Sequence, residues 1–215
     1  MIPWLDPQAR PFFPHTNTAL AEPRGLLAAG GRLDVEWLLV AYRQGIFPWF
    51  SENEPILWWS PAPRTVLYPR HYHPSRSLRK LARQQRYRIT GDKDFDAVIH
   101  ACASERDDHP GTWINSQMIR AYMVMHQAGF AHSVECWNLE DELVGGIYGI
   151  ALGRVFFGES MFSVETNTSK LCLKHLAESG AYSMIDCQMP TAHLNRLGAI
   201  DISRDEFEAA LNRWA

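Results

Sequence analysis

The sequence predicts an α+β protein, with a small N-terminal lobe over residues 1–62 and a larger domain over residues 63–215 built on a mainly antiparallel sheet flanked by helices. Three observations predict it. Residues 132–137, 143–151 and 155–162 have the length and composition of strands and are separated by the short turns Leu139-Glu140-Asp141-Glu142 and Leu152-Gly153-Arg154, as in an antiparallel meander. Elsewhere apolar residues recur at helical spacing behind capping residues. Between the lobes, residues 47–63 concentrate Pro and Trp, the composition of a boundary segment.

Taken in order, Pro3, Pro7, Pro11, Pro14 and Pro23 predict an irregular, docked extension in place of helix or sheet core over the first two dozen residues. Asp34 is a good N-cap for a helix carrying Trp37, Leu38, Ala41 and Tyr42 on one face, with Gly45 closing it. Residues 65–68 read as a short strand, and Ser75 caps a helix to about residue 85. Asp92 or Asp94 opens the next, with Phe95, Val98, Ile99 and Cys102 inward, and Asn115 or Ser116 opens a third with Met118, Tyr122 and Met125 inward. After the meander, a helix over 168–179 leads to a strand holding Asp186. A capping box, Ser203-x-x-Glu206, starts the last helix.

Composition narrows the class. With 46% hydrophobic and 21% charged residues in 215, the chain is an ordered globular protein able to bury a substantial core. A net charge of −3 gives no global nucleic-acid signature, so RNA contact requires a local basic patch. No apolar run is long enough to span a bilayer, and the start lacks the basic end and apolar middle of a signal peptide, which predicts a cytoplasmic protein with no membrane partner. Cys102, Cys136, Cys172 and Cys187 have no metal-ligand or redox spacing and read as free thiols. The His71-x-His73 pair has no further ligand at standard spacing, so no metal is expected.

Two runs place polar side chains in apolar surroundings: Gly158-Glu159-Ser160-Met161-Phe162-Ser163 and Ile185-Asp186-Cys187-Gln188. Desolvating such groups is costly without partners, so they mark a polar network or a site. By strand alternation Asp186 and Gln188 share a face, and Glu159, Met161 and Ser163 share another. Trp49 and Trp113 lie in Pro- or Gly-flanked loops, where a flat indole face is available to stack on a base as well as to fill an interior. Arg76, Arg79, Lys80 and Arg83 form one basic helical stripe opposite Leu78, Leu81 and Ala82, either a solvated face or a phosphate contact.

With Gly45-Ile46-Phe47-Pro48-Trp49-Phe50, Trp58-Trp59-Ser60-Pro61, Gly111-Thr112-Trp113-Ile114 and Leu143-Val144-Gly145-Gly146-Ile147-Tyr148-Gly149, these runs resemble the bacterial leucyl/phenylalanyl-tRNA–protein transferases, from about Gly25 to about Ala199. The resemblance implies an acetyltransferase-like (GNAT-like) main domain. It also implies transfer of Leu, Phe or Met from aminoacyl-tRNA to the N-terminal amine of proteins beginning with Arg or Lys, which marks them for degradation. Carried to the matching positions, it has Gln188 hold the attacking amine, Asp186 orient Gln188, and Glu159 join them. It places the tRNA 3′-adenosine near Trp49 and Trp113. The transferred side chain would sit against Met161 and Ser163, with Ile147, Phe156, Leu176 and Ile185 behind. No cofactor is implied, because the tRNA ester supplies the activation. The rival readings are an acetyl-CoA-dependent N-acetyltransferase and an RNA-binding module without catalysis. Asn167-Thr168-Ser169-Lys170 lacks the glycines a CoA pyrophosphate turn needs, which counts against the first.

Overall fold

A computed structural model describes residues 2–104 and 114–215. Its first part holds β1 (Trp4–Leu5), β2 (Leu26–Gly30), α1 (Val35–Arg43), β3 (Phe47–Pro48) and β4 (Leu57–Trp59). These strands form a sheet in the order β1-β2-β4-β3. The remainder holds β5 (Arg64–Leu67), α2 (Arg76–Arg83), β6 (Arg88–Gly91), α3 (Phe95–Ala103), α4 (Ser116–Gln127), β7 (Ala131–Trp137), β8 (Leu143–Leu152) and β9 (Val155–Ser163). It closes with α5 (Thr168–Glu178), β10 (Met184–Gln188), α6 (Ala192–Arg196), β11 (Ile200–Ile202) and α7 (Arg204–Trp214).

The large sheet runs β11-β5-β10-β9-β8-β7-β6, and only the β10–β9 pair is parallel. The expected α+β class with a mainly antiparallel sheet is therefore what the chain forms. The central hairpins follow from turn chemistry: Asp141 adopts φ 59° and Gly153 φ 52° at the two reversals. Caps fall where side chains allow them. Asp34, Ser75, Asp94, Asn115 and Ser203 each accept a backbone N–H from the first turn of the following helix, and Ser203–Glu206 forms the full capping box. Gly45 follows α1 at φ +72°, and a Cβ there would meet the Phe207 ring at 2.6 Å.

Several elements differ from the sequence expectation. Trp4 and Leu5 do join a sheet, pairing in parallel with Ala29 and Gly30; an edge position tolerates flanking prolines that cannot donate. β2, β3, β4, β6, β11 and α6 are of five residues or fewer, too short to develop a period in the sequence.

Each face of the large sheet carries a core. On one, Val66, Tyr148, Phe157, Phe162 and Met184 pack with α1, α3, α4 and α7 and with Leu27 and Trp58 of the small sheet. On the other, Leu67, Val134, Ile147, Phe156 and Ile185 pack beneath α5. Cys136, Cys172 and Cys187 form no disulfide, the first two buried and the third half-buried. Among the described residues no helix is long and apolar enough to cross a membrane.

Candidate active site

β9 and β10 pair over three rungs only, Met184↔Val155, Ile185↔Phe156 and Asp186↔Phe157. β9 then continues to Ser163, whereas β10 ends at Gln188 in the left-handed region, at φ 62°. On its other side the register of β10 against β5 shifts between Asp186 and Gln188. The two strands thus separate in the middle of the sheet, and the gap begins at Asp186.

Glu159 lies at the start of the gap on a β-bulge. β8 pairs Tyr148 with Ser160 and Gly149 with Gly158, so Glu159 has no opposite residue. Glycine is required at 149, since a Cβ would meet the Phe157 carbonyl oxygen at 2.1 Å. The extra residue reverses the alternation. Glu159 points to the side of Tyr42 and Tyr122, within the first core, whereas Met161 packs against the second, under α5. The expectation that Glu159, Met161 and Ser163 share a face is corrected accordingly, because strict period-two reading does not survive an inserted residue.

Asp186 is wholly buried, and Arg64, 1% exposed, pairs with it through both ends of its fork: Nε donates to Oδ1 at 2.8 Å and Nη2 to Oδ2 at 2.6 Å. The guanidinium also donates through Nη1 to the Gly45 carbonyl at 3.0 Å and lies between the Phe47 and Phe207 rings. Asp186 Oδ1 accepts the backbone N–H of Gln188 at 2.9 Å. Gln188 in turn directs Nε2 to Glu159 Oε1 at 3.3 Å, across the gap. Glu159 accepts the Tyr42 hydroxyl at 2.7 Å and the Tyr122 hydroxyl at 2.9 Å, and those hydroxyls contact each other.

Burial raises the Glu159 carboxyl from 4.5 to about 7, partly offset by the two tyrosine hydrogen bonds and by Arg64, while Asp186 adds to the rise. The same burial, with Glu159 adjacent, holds the Tyr42 and Tyr122 hydroxyls protonated far above their usual range. The site therefore contains one neutralised ion pair and one carboxyl that changes charge near neutral pH.

Glu159 and Gln188 line a cavity of about 360 Å³ together with Arg24, Phe47, Pro48, Trp49, Trp59, Pro61 and Met189. Trp49 is 46% exposed, and the Trp59 indole donates to its carbonyl at 2.6 Å. Trp113 lies outside the described residues.

Ile147, Phe156 and Ile185 are brought together against Leu176 of α5, with Met161 half-buried against this cluster and directly opposite Ile147 in the β8–β9 register. Ser163 is exposed, and its hydroxyl bonds Ser169 at the start of α5. Arg76, Arg79, Lys80 and Arg83 are exposed on α2 and line one shallow depression. Leu78 and Leu81 turn inward, but Ala82 is exposed, since an eight-residue helix contacts the body through a narrower stripe than expected.

Sequence reasoning missed Arg64, Tyr42, Tyr122 and Trp59. The two tyrosines obey apolar helical spacing and read as core; only their hydroxyls make them part of the site. Arg64 lies just before the strand expected over 65–68 and is in fact the first residue of β5, and nothing local marks it for burial. Its signal is retrospective: a wholly buried aspartate requires a cationic or multiple hydrogen-bonding partner.

The sequence pattern of the family described as leucyl/phenylalanyl-tRNA protein transferase matches residues 66–212, and that of the family's N-terminal domain matches residues 31–62. The leucyl/phenylalanyl-tRNA–protein transferase of Azoarcus sp. (strain BH72) is 56% identical over 217 residues, covering 100% of this chain and 91% of its own. That of Pseudomonas aeruginosa (strain LESB58) is 54% identical over 218 residues, covering 100% and 95%. Among solved structures, FemX aligns over 79% of this chain and 67% of its own, at 10% identity and a TM-score of 0.49. With both parts of the chain matched by the family's patterns and relatives above half identity over its whole length, the chain belongs to the leucyl/phenylalanyl-tRNA–protein transferase family of aminoacyltransferases.

Proposed function

We propose that the gap between β9 and β10 carries the transfer of Leu, Phe or Met from aminoacyl-tRNA to the N-terminal α-amine of proteins beginning with Arg or Lys. One observation supports this most directly: Gln188 is held at both its backbone and its amide, by Asp186 and Glu159, at the point where the sheet opens. Amide formation from an ester needs a neutral amine, an acceptor for its proton and room for the acyl carbonyl. With Nε2 engaged by Glu159, the Gln188 amide oxygen accepts no hydrogen bond among the described residues and is available to the attacking amine. The amine nitrogen forms the new bond to the acyl carbon, the bond to the ribose oxygen breaks, and that oxygen takes a proton to leave as the hydroxyl. Glu159, titrating near 7, is suited to receive the amine's proton and return it.

The remaining assignments belong to the same proposal. Trp49, with Trp59 behind it and Trp113 from outside the described residues, takes the 3′-adenosine. The transferred side chain enters the face under α5, against Met161, Ser163, Ile147, Phe156, Leu176 and Ile185, while Glu159, held by Tyr42 and Tyr122, and Gln188 work at the gap. Arg76, Arg79, Lys80 and Arg83 contact the tRNA backbone. The ester's own free energy drives the reaction without a cofactor, and the location of charged tRNA places the protein in the cytoplasm.

The test is incubation with labelled Phe-tRNA and a peptide beginning with Arg. Label on the peptide's N-terminus, absent when that amine is acetylated, is the expected result. Acetyl transfer from acetyl-CoA, or tRNA binding with no transfer, would replace this reading by one of its rivals.

A further inference from the structure

We propose that Arg64 is a positioning residue of the reacting centre, its guanidinium fork fixing Asp186 and, through Asp186, the backbone of Gln188. This rests on the aminoacyl-transfer reading for its consequence in rate, but not for its consequence in structure. Gln188 sits at φ 62°, a region that side-chain-bearing residues rarely hold without help. The help is the hydrogen bond from its N–H to Asp186 Oδ1, the same oxygen that accepts Arg64 Nε.

Because Arg64 engages both carboxylate oxygens, the plane of the Asp186 carboxylate is set by the guanidinium plane. That plane is set in turn from outside the strand: Phe47 and Phe207 lie against it at 4.9 and 4.6 Å, and the Gly45 carbonyl takes a third N–H. Arg64 thus ties the end of α1, β3 and α7 to the turn that presents Gln188. Phe47 is also a wall of the cavity, so one side chain positions both the amide and part of the donor seat. An ammonium is a point charge and reproduces neither the fork nor the stacking.

The experiment is Arg64→Lys, read in two ways. In single-turnover transfer from Phe-tRNA to an Arg-initiated peptide, the rate should fall by roughly 10- to 100-fold with tRNA affinity within about twofold, the pattern for loss of an oriented group. In a Gln188→Ala background the same change should cost under about threefold, since the group being positioned is gone. Independently of activity, hydrogen exchange of the Gln188 amide should quicken by about tenfold or more while the amides of Ile185 and Leu67 in the paired strands stay protected.

A wild-type rate in Arg64→Lys, or equal losses in both backgrounds, overturns the assignment. So does an unchanged Gln188 exchange rate. If the wild-type protein transfers nothing while Gln188 exchange still depends on Arg64, the positioning stands and the functional reading fails. Should Arg64→Lys melt below the assay temperature, Asp186→Asn removes the charge pairing while keeping the shape. Unchanged exchange at Gln188 in that variant overturns the assignment as well.

Discussion

Glu159 and Gln188 meet across the gap where β9 and β10 cease to pair, with Gln188 Nε2 3.3 Å from Glu159 Oε1. Neither strand alone accounts for the contact. It requires the bulge that turns Glu159 toward Tyr42 and the left-handed residue that ends β10.

The first expected consequence is a pH-dependent stability. The folded protein holds Glu159 at about 7 and the unfolded chain near 4.5, so between those values the native state binds more protons and stability falls as pH rises. The full loss, reached above pH 7, is on the order of 3 kcal/mol. Urea unfolding of the wild type and of Glu159→Gln at pH 5 and pH 8 checks it. The variant's stability should be flatter between the two, and parallel curves would remove Glu159 as the source.

Asp186→Ala should be costly twice over. Transfer should fall by roughly 10²-fold or more, as for a group that orients the acceptor. The variant should also lose about 3–5 kcal/mol, because Arg64 is left charged and unpaired in the core. Melting curves separate the effects, and a native-like melting temperature would mean that Arg64 finds another partner.

How far these groups were legible in the sequence depends on what each contributes to a pattern. Asp186 and Gln188 stood out because they interrupt an apolar strand, and the caps at Asp34, Ser75 and Ser203 because one side chain makes each. The meander was legible in its turns. Arg64, by contrast, is buried by Phe47 and Phe207, which are distant in the chain, and the bulge at Glu159 depends on the pairing of Gly149 with Gly158. Both are tertiary facts with no local period. The short strands of the small sheet were illegible for the same reason: their partners, not their composition, define them.

Replacing Arg76, Arg79, Lys80 and Arg83 together with Ala should weaken binding of different tRNAs alike and flatten the salt dependence of affinity. Folding should be unaffected, since all four are exposed. Filter binding across salt concentrations measures this, and an unchanged slope makes the stripe a solvated face.

Met161→Ala should alter the competition between Leu-tRNA and Phe-tRNA by the modest factor that apolar bulk allows, up to about 1–3 kcal/mol. Met161 is half-buried opposite Ile147, so some loss of stability should accompany it. Competitive transfer to one Arg-initiated peptide, at a temperature where the variant is native, gives the ratio. An unchanged ratio returns Met161 to the core.

The most direct measurement is single-turnover transfer by Gln188→Ala, with Phe-tRNA affinity determined on the same preparation. Gln188 lies at the end of its strand and half-buried, so its removal leaves both cores intact. The rate should fall by about 10²-fold or more with tRNA affinity unchanged within about threefold. Transfer at the wild-type rate would contradict the placement of the reaction between β9 and β10.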